Sequence, residues 1–193
     1  MPRTKSFDES EVLDKAIQVF WRQGFNATSI QDLVDELGIN RASLYDTWGD
    51  KHQLYLSALK RYRQNSSSWL LEKIRSEKPA VEILNDFLIK ALDEAIYDQE
   101  KKGCFLVNAA SEMCNSDQQV NQLFKENKNT LTKVLSELIK EAQMEGAIKN
   151  DQTPEVIASF LYTNMVGLRV LSKSEANPEE LKSVISLALS SLS

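Results

Sequence analysis

Along nearly the whole chain apolar residues recur at intervals of three and four, the spacing that lines one face of an α-helix, and no stretch alternates as a strand would. The first stripe, Val12, Leu13, Ala16, Ile17 and Phe20, predicts a helix from about Asp8 to Gln23, closed by Gly24, with Phe25 tucked under the next turn. A short polar arm carrying Arg3 and Lys5 precedes it. The second stripe, Ile30, Leu33, Val34 and Leu37, stops at Gly38, a residue that adopts the left-handed conformation ending many helices at no steric cost. Thr28 followed three residues later by Gln31 predicts its start as a capping box. Asn40 is placed to cap a third helix, in which Leu44 and Trp48 point inward while Arg41, Ser43, Thr47 and part of Tyr45 face out.

From Asp50, a cap with Gln53 at the third position, a long helix carries Leu54, Tyr55, Ala58, Leu59 and Tyr62 and continues loosely through Trp69, Leu70 and Ile74. Pro79 opens a strongly apolar helix that includes Ile83, Leu84, Phe87 and Leu88. Residues 98–103 are a polar break. Residues 104–114 are apolar on nearly all sides except at Asn108 and Ser111, which predicts a central helix and requires a hydrogen-bond partner, protein or ligand, for Asn108. Ser116 with Gln119 predicts the start of a helix ending near Gly146, and Thr153-Pro154 and Asn177-Pro178 open the last two. The fold class is therefore all-α with about nine helices. The final two are apolar over a broad face and follow a core that is already complete, which predicts a symmetric four-helix interface in a homodimer. Completing the monomer's own core is the other use such a face has.

Two short helices joined by a tight glycine-containing turn describe a helix-turn-helix, whose second helix lies in the DNA major groove, and equally an ordinary αα-corner. Local physics does not separate them.

Composition narrows the remaining classes. The 193 residues are 42% apolar, enough for a core, and contain no run of 18 apolar residues to span a membrane. Met1-Pro-Arg-Thr-Lys leads into charged sequence and not into a signal peptide, so a cytoplasmic location with no membrane partner is expected. Cys104 and Cys114 are too far apart on one helix to pair, and a single histidine, His52, expected to be exposed, gives no metal site and no histidine-dependent triad. No phosphate-cradling glycine loop or nucleophile elbow is present either, so no cofactor and no enzyme activity are expected. The net charge of −5 is uneven: residues 1–63 carry nine basic and nine acidic side chains, the remainder fourteen against nineteen. A neutral first third is a weaker nucleic-acid footprint than a basic one, but it binds phosphates if its bases point one way.

Three places carry candidate chemistry. Lys51 combines a positive side chain with the free N–H groups of a helix start, a phosphate site, and an arm such as Arg3 to Lys5 is of the kind that lies in a minor groove. Cys104 stands beside Lys101 and Lys102 near a helix start, where a thiolate is favoured as in oxidant- or electrophile-sensing thiols; a buried structural thiol is the alternative.

The runs Phe20-Trp-Arg-Gln-Gly24-Phe25-Asn-Ala-Thr28-Ser29 and Leu44-Tyr45-Asp-Thr-Trp48-Gly-Asp-Lys51-His-Gln-Leu54 resemble the N-terminal pattern of the tetracycline-repressor (TetR) family of one-component bacterial regulators. The likeness covers roughly residues 8–60 and turns the αα-corner into a helix-turn-helix. It implies a DNA-binding domain over 1–50 and an effector-binding and dimerisation domain over 51–193. It also implies a homodimer, paired through its last two helices, that binds a palindromic double-stranded operator and releases it when a small molecule enters the C-terminal helices. Carried over by position, Thr28 and Ser29 match phosphate contacts, Arg41, Ala42 and Ser43 the base-reading start of the recognition helix, and Tyr45 and Lys51 further backbone contacts. Arg41 has the geometry to donate two hydrogen bonds to a guanine edge. Asp46 and Thr47 depart from the commonest form of the family, so the operator sequence does not follow. The C-terminal half resembles the family in layout and in the run Gly103-Cys104-Phe-Leu-Val-Asn108. That layout makes Trp69, Phe87, Cys104, Phe105, Asn108, Met113, Phe124, Phe160 and Tyr162 candidate linings for a hydrophobic or aromatic effector, with core packing as their other role. A helical ligand-binding or adaptor protein without DNA affinity is the alternative that the neutral first third and Asp46 leave open.

Overall fold

The computed structural model describes residues 7–76, 78–174 and 177–192. All regular structure among them is helical: α1 (Glu9–Gln23), α2 (Ile30–Leu37), α3 (Arg41–Trp48), α4 (Lys51–Ile74), α5 (Ala80–Ile96), α6 (Phe105–Met113), α7 (Gln118–Met144), α8 (Pro154–Leu171) and α9 (Pro178–Ser190). None of these helices is long and apolar enough to cross a membrane.

The chain divides into two compact units. The first joins the described residues through Ser66 to Asn108–Leu123. Its centre is an aromatic and leucine core in which Phe20, Leu33, Leu44, Leu54, Tyr55 and Leu59 are fully buried. Phe20 meets Tyr55 edge-on at 4.9 Å and Phe25 meets the same ring at 5.0 Å, the tilted contacts that aromatic quadrupoles favour. On the surface, Arg61 of α4 grips Asp14 of α1 through two hydrogen bonds of 2.7 and 2.6 Å. The second unit holds Ser67–Val107 and the residues from Phe124 onward, with a core drawn from α5, α7, α8 and α9 that includes Leu84, Leu88, Leu135, Ile139, Leu161, Leu168 and Ile185. Its last turn is tied down where the Lys149 N–H and the Asn150 side chain donate to the carbonyls of Leu192 and Ser191, at 3.0 and 2.8 Å.

Most starts and stops follow the sequence signals. Asp8 caps α1, Asp50 accepts from the Gln53 N–H at 2.7 Å, and Asn177 caps α9 ahead of Pro178. Two caps differ. The cap of α2 is Ser29 and not Thr28, and the reciprocal partner is Asp32 and not Gln31: Asp32 N–H donates to the Ser29 hydroxyl at 3.1 Å, and Ser29 N–H to the Asp32 carboxylate at 2.8 Å. Thr28 is displaced because its hydroxyl donates to the Gly24 carbonyl at 2.6 Å, which buries it, and Gln31 turns instead to Asp35. At α7 the cap is Asp117, accepting from Gln119 and Val120 at 2.8 and 3.1 Å, while the Ser116 hydroxyl turns back to the Met113 carbonyl. Cys104 and Cys114 lie just outside α6, one at each end.

Candidate nucleic-acid interface

The turn between α2 and α3 is closed by Gly38, at φ +67° and ψ +27°, whose N–H donates to the Val34 carbonyl at 3.1 Å. A side chain at this left-handed position is strained, which is why glycine serves here. Two residues on, the Asn40 side chain accepts from the Ser43 N–H at 2.8 Å and starts α3. Eight residues make a helix too short to be stable alone, so it depends on this cap and on Leu44, which is wholly buried. Trp48 closes the inner side, stacked on Phe7 at 6.2 Å.

With Leu44 turned inward, the opposite side of α3 is open. Arg41, Ala42, Tyr45 and Asp46 are exposed, and Ser43 and Thr47 are half-buried beside them. The Arg41 guanidinium lies 5.7 Å from the centre of the Tyr45 ring, a cation–π contact that steadies a long side chain without using its hydrogen-bond donors. Asp46 puts a carboxylate on the same open side. Ser29, exposed at the head of α2, sits next to Asp32, whose carboxyl is held below the usual range first by the Ser29 backbone N–H and then by its hydroxyl.

Two expected phosphate contacts are engaged within the fold. Thr28 is 1% exposed and bonded to Gly24. Lys51 is half-buried; its ammonium donates to the carbonyls of Phe25 and Thr28 at 2.8 and 2.6 Å and lies 4.3 Å from the centre of the Phe25 ring. His52, expected to be exposed, is half-buried, paired with Asp117 and edge-on to Phe25. Arg3 and Lys5 lie outside the described residues. Sequence reasoning missed Glu112 of α6, whose carboxylate accepts from the N–H groups of Phe25 and Asn26 at 3.0 and 2.8 Å. The only trace it left was the one charged side chain in a helix that is otherwise apolar but for Asn108 and Ser111.

The expected effector linings are distributed over both units. Trp69, Phe87, Cys104, Phe105, Phe124, Phe160 and Tyr162 belong to the second, Asn108 and Met113 to the first. Trp69 and Phe87 are half-buried against the second unit's core, and the Trp69 ring carries the ammonium groups of Lys73 and Lys90 at 5.5 and 5.3 Å from its centre. Phe105, Met113 and Tyr162 are buried; Cys104, Asn108 and Phe124 are half-buried. Burial, and then the charge of nearby Cys104, pushes the Tyr162 phenol up to about 12. Phe160 differs from the rest: it is 45% exposed on the outer side of α8.

Comparison with known proteins agrees with this arrangement. Residues 12–58 match the family model of bacterial regulatory proteins, tetR family, and residues 80–188 match that of the tetracyclin repressor-like C-terminal domain. An uncharacterized HTH-type transcriptional regulator of Bacillus subtilis (strain 168), YezE, is 31% identical over 194 residues, covering 100% of both chains. The chain belongs to the tetR family of bacterial regulatory proteins. This TetR-family protein is thus a DNA-binding transcriptional regulator and not an enzyme. It is also similar to the HTH-type transcriptional repressor ComR of Escherichia coli (strain K12), 25% identical over 97% of this chain and 90% of that one. Among solved structures, a cysteine mutant of the TetR family regulator CifR, complexed with 26-bp double-strand operator DNA, superimposes with a TM-score of 0.86 at 25% identity, covering 99% of this chain and 100% of that chain.

Proposed function

We propose that the protein is a repressor that binds a palindromic operator as a homodimer and releases it when a small hydrophobic or aromatic effector binds. The observation that carries this reading is the open face of α3, where a capped first turn presents Arg41, braced on Tyr45, with Ala42 and Ser43 beside it. In this reading residues 1–50 meet DNA and residues 51–193 bind effector and pair the protomers, in the cytoplasm. Arg41, Ala42 and Ser43 read base edges; Ser29, Tyr45 and Thr47, with Arg3 and Lys5 of the arm, meet the backbone or the minor groove; Thr28 and Lys51 act from within by shaping the turn ahead of α2. The effector is received in the second unit, among Trp69, Phe87, Cys104, Phe105, Phe124 and Tyr162, and Phe160 joins the pairing face. CifR, solved with operator DNA, and ComR, named a repressor, support the DNA-binding and repressing parts of the reading.

The test is binding of the purified protein to palindromes from the DNA upstream of its own gene, over a range of salt. Affinity should fall linearly with salt on logarithmic axes, as phosphate neutralisation requires. The variant Arg41→Ala should lose about 1–3 kcal/mol of discrimination for each half-site while keeping the wild-type mass. Absence of salt-dependent binding to any of these palindromes would support the adaptor reading in its place, and an Arg41→Ala variant as tight as wild type would remove Arg41 from the base-reading role.

A further inference from the structure

We propose that Glu112 is a positioning residue for operator binding, which holds the turn between α1 and α2 from outside the helix-turn-helix; the inference rests on the DNA-binding reading above. Residue 112 lies beyond the segment 12–58 that matches the DNA-binding family model, and it is the one charged side chain of α6. Its two carboxylate oxygens serve two different backbone donors, Oε2 the N–H of Phe25 and Oε1 the N–H of Asn26. The carboxylate lies close against the end of α1: a Cβ on Gly24 would stand 2.9 Å from Oε2 and push it aside, and φ +82° at that position favours glycine in its own right. From the other side, the Lys51 ammonium takes the carbonyls of Phe25 and Thr28. Residues 25–28 are therefore fixed by an anion on their amides and a cation on their carbonyls, and all four hydrogen bonds are of the charge-assisted, stronger kind. The residue that follows is Ser29, the cap of α2. Fixing the turn fixes where α2 starts, and through the Gly38 turn it fixes how α3 is presented.

Glutamine at 112 keeps the size and shape but has one acceptor oxygen, so its amide N–H₂ faces the second backbone N–H, donor against donor. Charge alone predicts the opposite outcome, because removing a carboxylate lessens repulsion of DNA and tightens binding. The experiment compares wild type, Glu112→Gln and Glu141→Gln, an exposed acid of α7, for affinity to the operator, mass, melting temperature and amide hydrogen exchange at Phe25 and Asn26. The expected result is an affinity loss of roughly tenfold in Glu112→Gln, with faster exchange at both amides and unchanged mass, while Glu141→Gln binds as tightly as wild type or tighter. Wild-type binding tests the DNA reading by itself, and the exchange measurement tests the clamp without DNA. The proposal is overturned if Glu112→Gln binds the operator undiminished, if exchange at the two amides is unaltered, or if the affinity loss merely follows the unfolded fraction on the melting curve.

Discussion

At the scale of single residues, the instructive case is Lys51. Local rules place a lysine at the first position of a helix among free N–H groups, where it suits a phosphate. The fold gives its ammonium a different task, bridging the Phe25 and Thr28 carbonyls 26 and 23 residues earlier in the chain. The two roles make different predictions for Lys51→Met, which keeps most of the aliphatic stem and removes the donor. As a bridge, Lys51 protects two carbonyls of a half-buried turn, so its loss should cost about 1–3 kcal/mol. For a chain of this size that lowers the melting temperature by about 2–4 °C for each kcal/mol. The salt dependence of operator binding should keep its slope. A phosphate contact would leave the melt unchanged and reduce that slope by about one. Thermal melts and binding isotherms at several salt concentrations decide between them. Nothing in the sequence marked the bridge, because a cation chooses its carbonyls in three dimensions and leaves no periodicity behind.

At the scale of elements, the sequence was legible wherever a helix announces itself by its own neighbours. The stripes of α1, α2 and α5, the start of α1 near Asp8, the caps Asn40, Asp50 and Asn177, and the stops at Gly24 and Gly38 are all local chemistry. Where two polar residues stand side by side the local signal loses resolution. Asp117 outbids Ser116 at α7 because a carboxylate is the stronger acceptor, and Thr28 yields to Ser29 because a carbonyl four residues back takes its hydroxyl. Contacts such as His52 with Asp117, 65 residues apart, and Glu112 with Phe25, 87 apart, lie beyond any such signal. The open face of α3 was readable for the same local reason that its helix was. That helix also yields a prediction. Asn40→Ala removes the acceptor for the Ser43 N–H and should cost about 0.5–2 kcal/mol, while Asn40→Ser restores a cap at nearly full strength. Because Arg41 to Ser43 form the turn that frays, the alanine variant should lose operator affinity and the serine variant should recover it. Equal affinities for the two, measured beside their urea midpoints, would mean that the cap does not set the reading face.

At the scale of the whole molecule, the question is what covers the outer side of α8 and α9. On α8 the exposed apolar residues Val156, Phe160, Val170 and Leu171, with Thr163 and Gly167 between them, lie on one stripe, beside exposed Glu155 and Ser159 at its start. On α9, Val184 and Leu187 are 39% and 70% exposed. A contiguous apolar strip of this kind is uncommon on a protein that stays alone, and a self-complementary strip closes into a two-fold pair. Neither Phe160 nor Leu187 belongs to the buried core, so a charge at either position should leave the fold intact. Pairing also multiplies affinity: once one recognition helix is seated, the second meets its half-site at an effective concentration that raises overall binding by about 10²–10⁴. The acid excess of residues 64–193 opposes DNA at long range, which makes that gain from pairing the more necessary. Leu187→Glu and Phe160→Glu should therefore run at the monomer mass in light scattering at micromolar concentration, melt close to wild type, and lose operator affinity by a factor of that order. A variant that stays dimeric with a glutamate on the stripe places the interface elsewhere, and one that becomes monomeric yet binds as tightly removes the two-fold geometry from the mechanism.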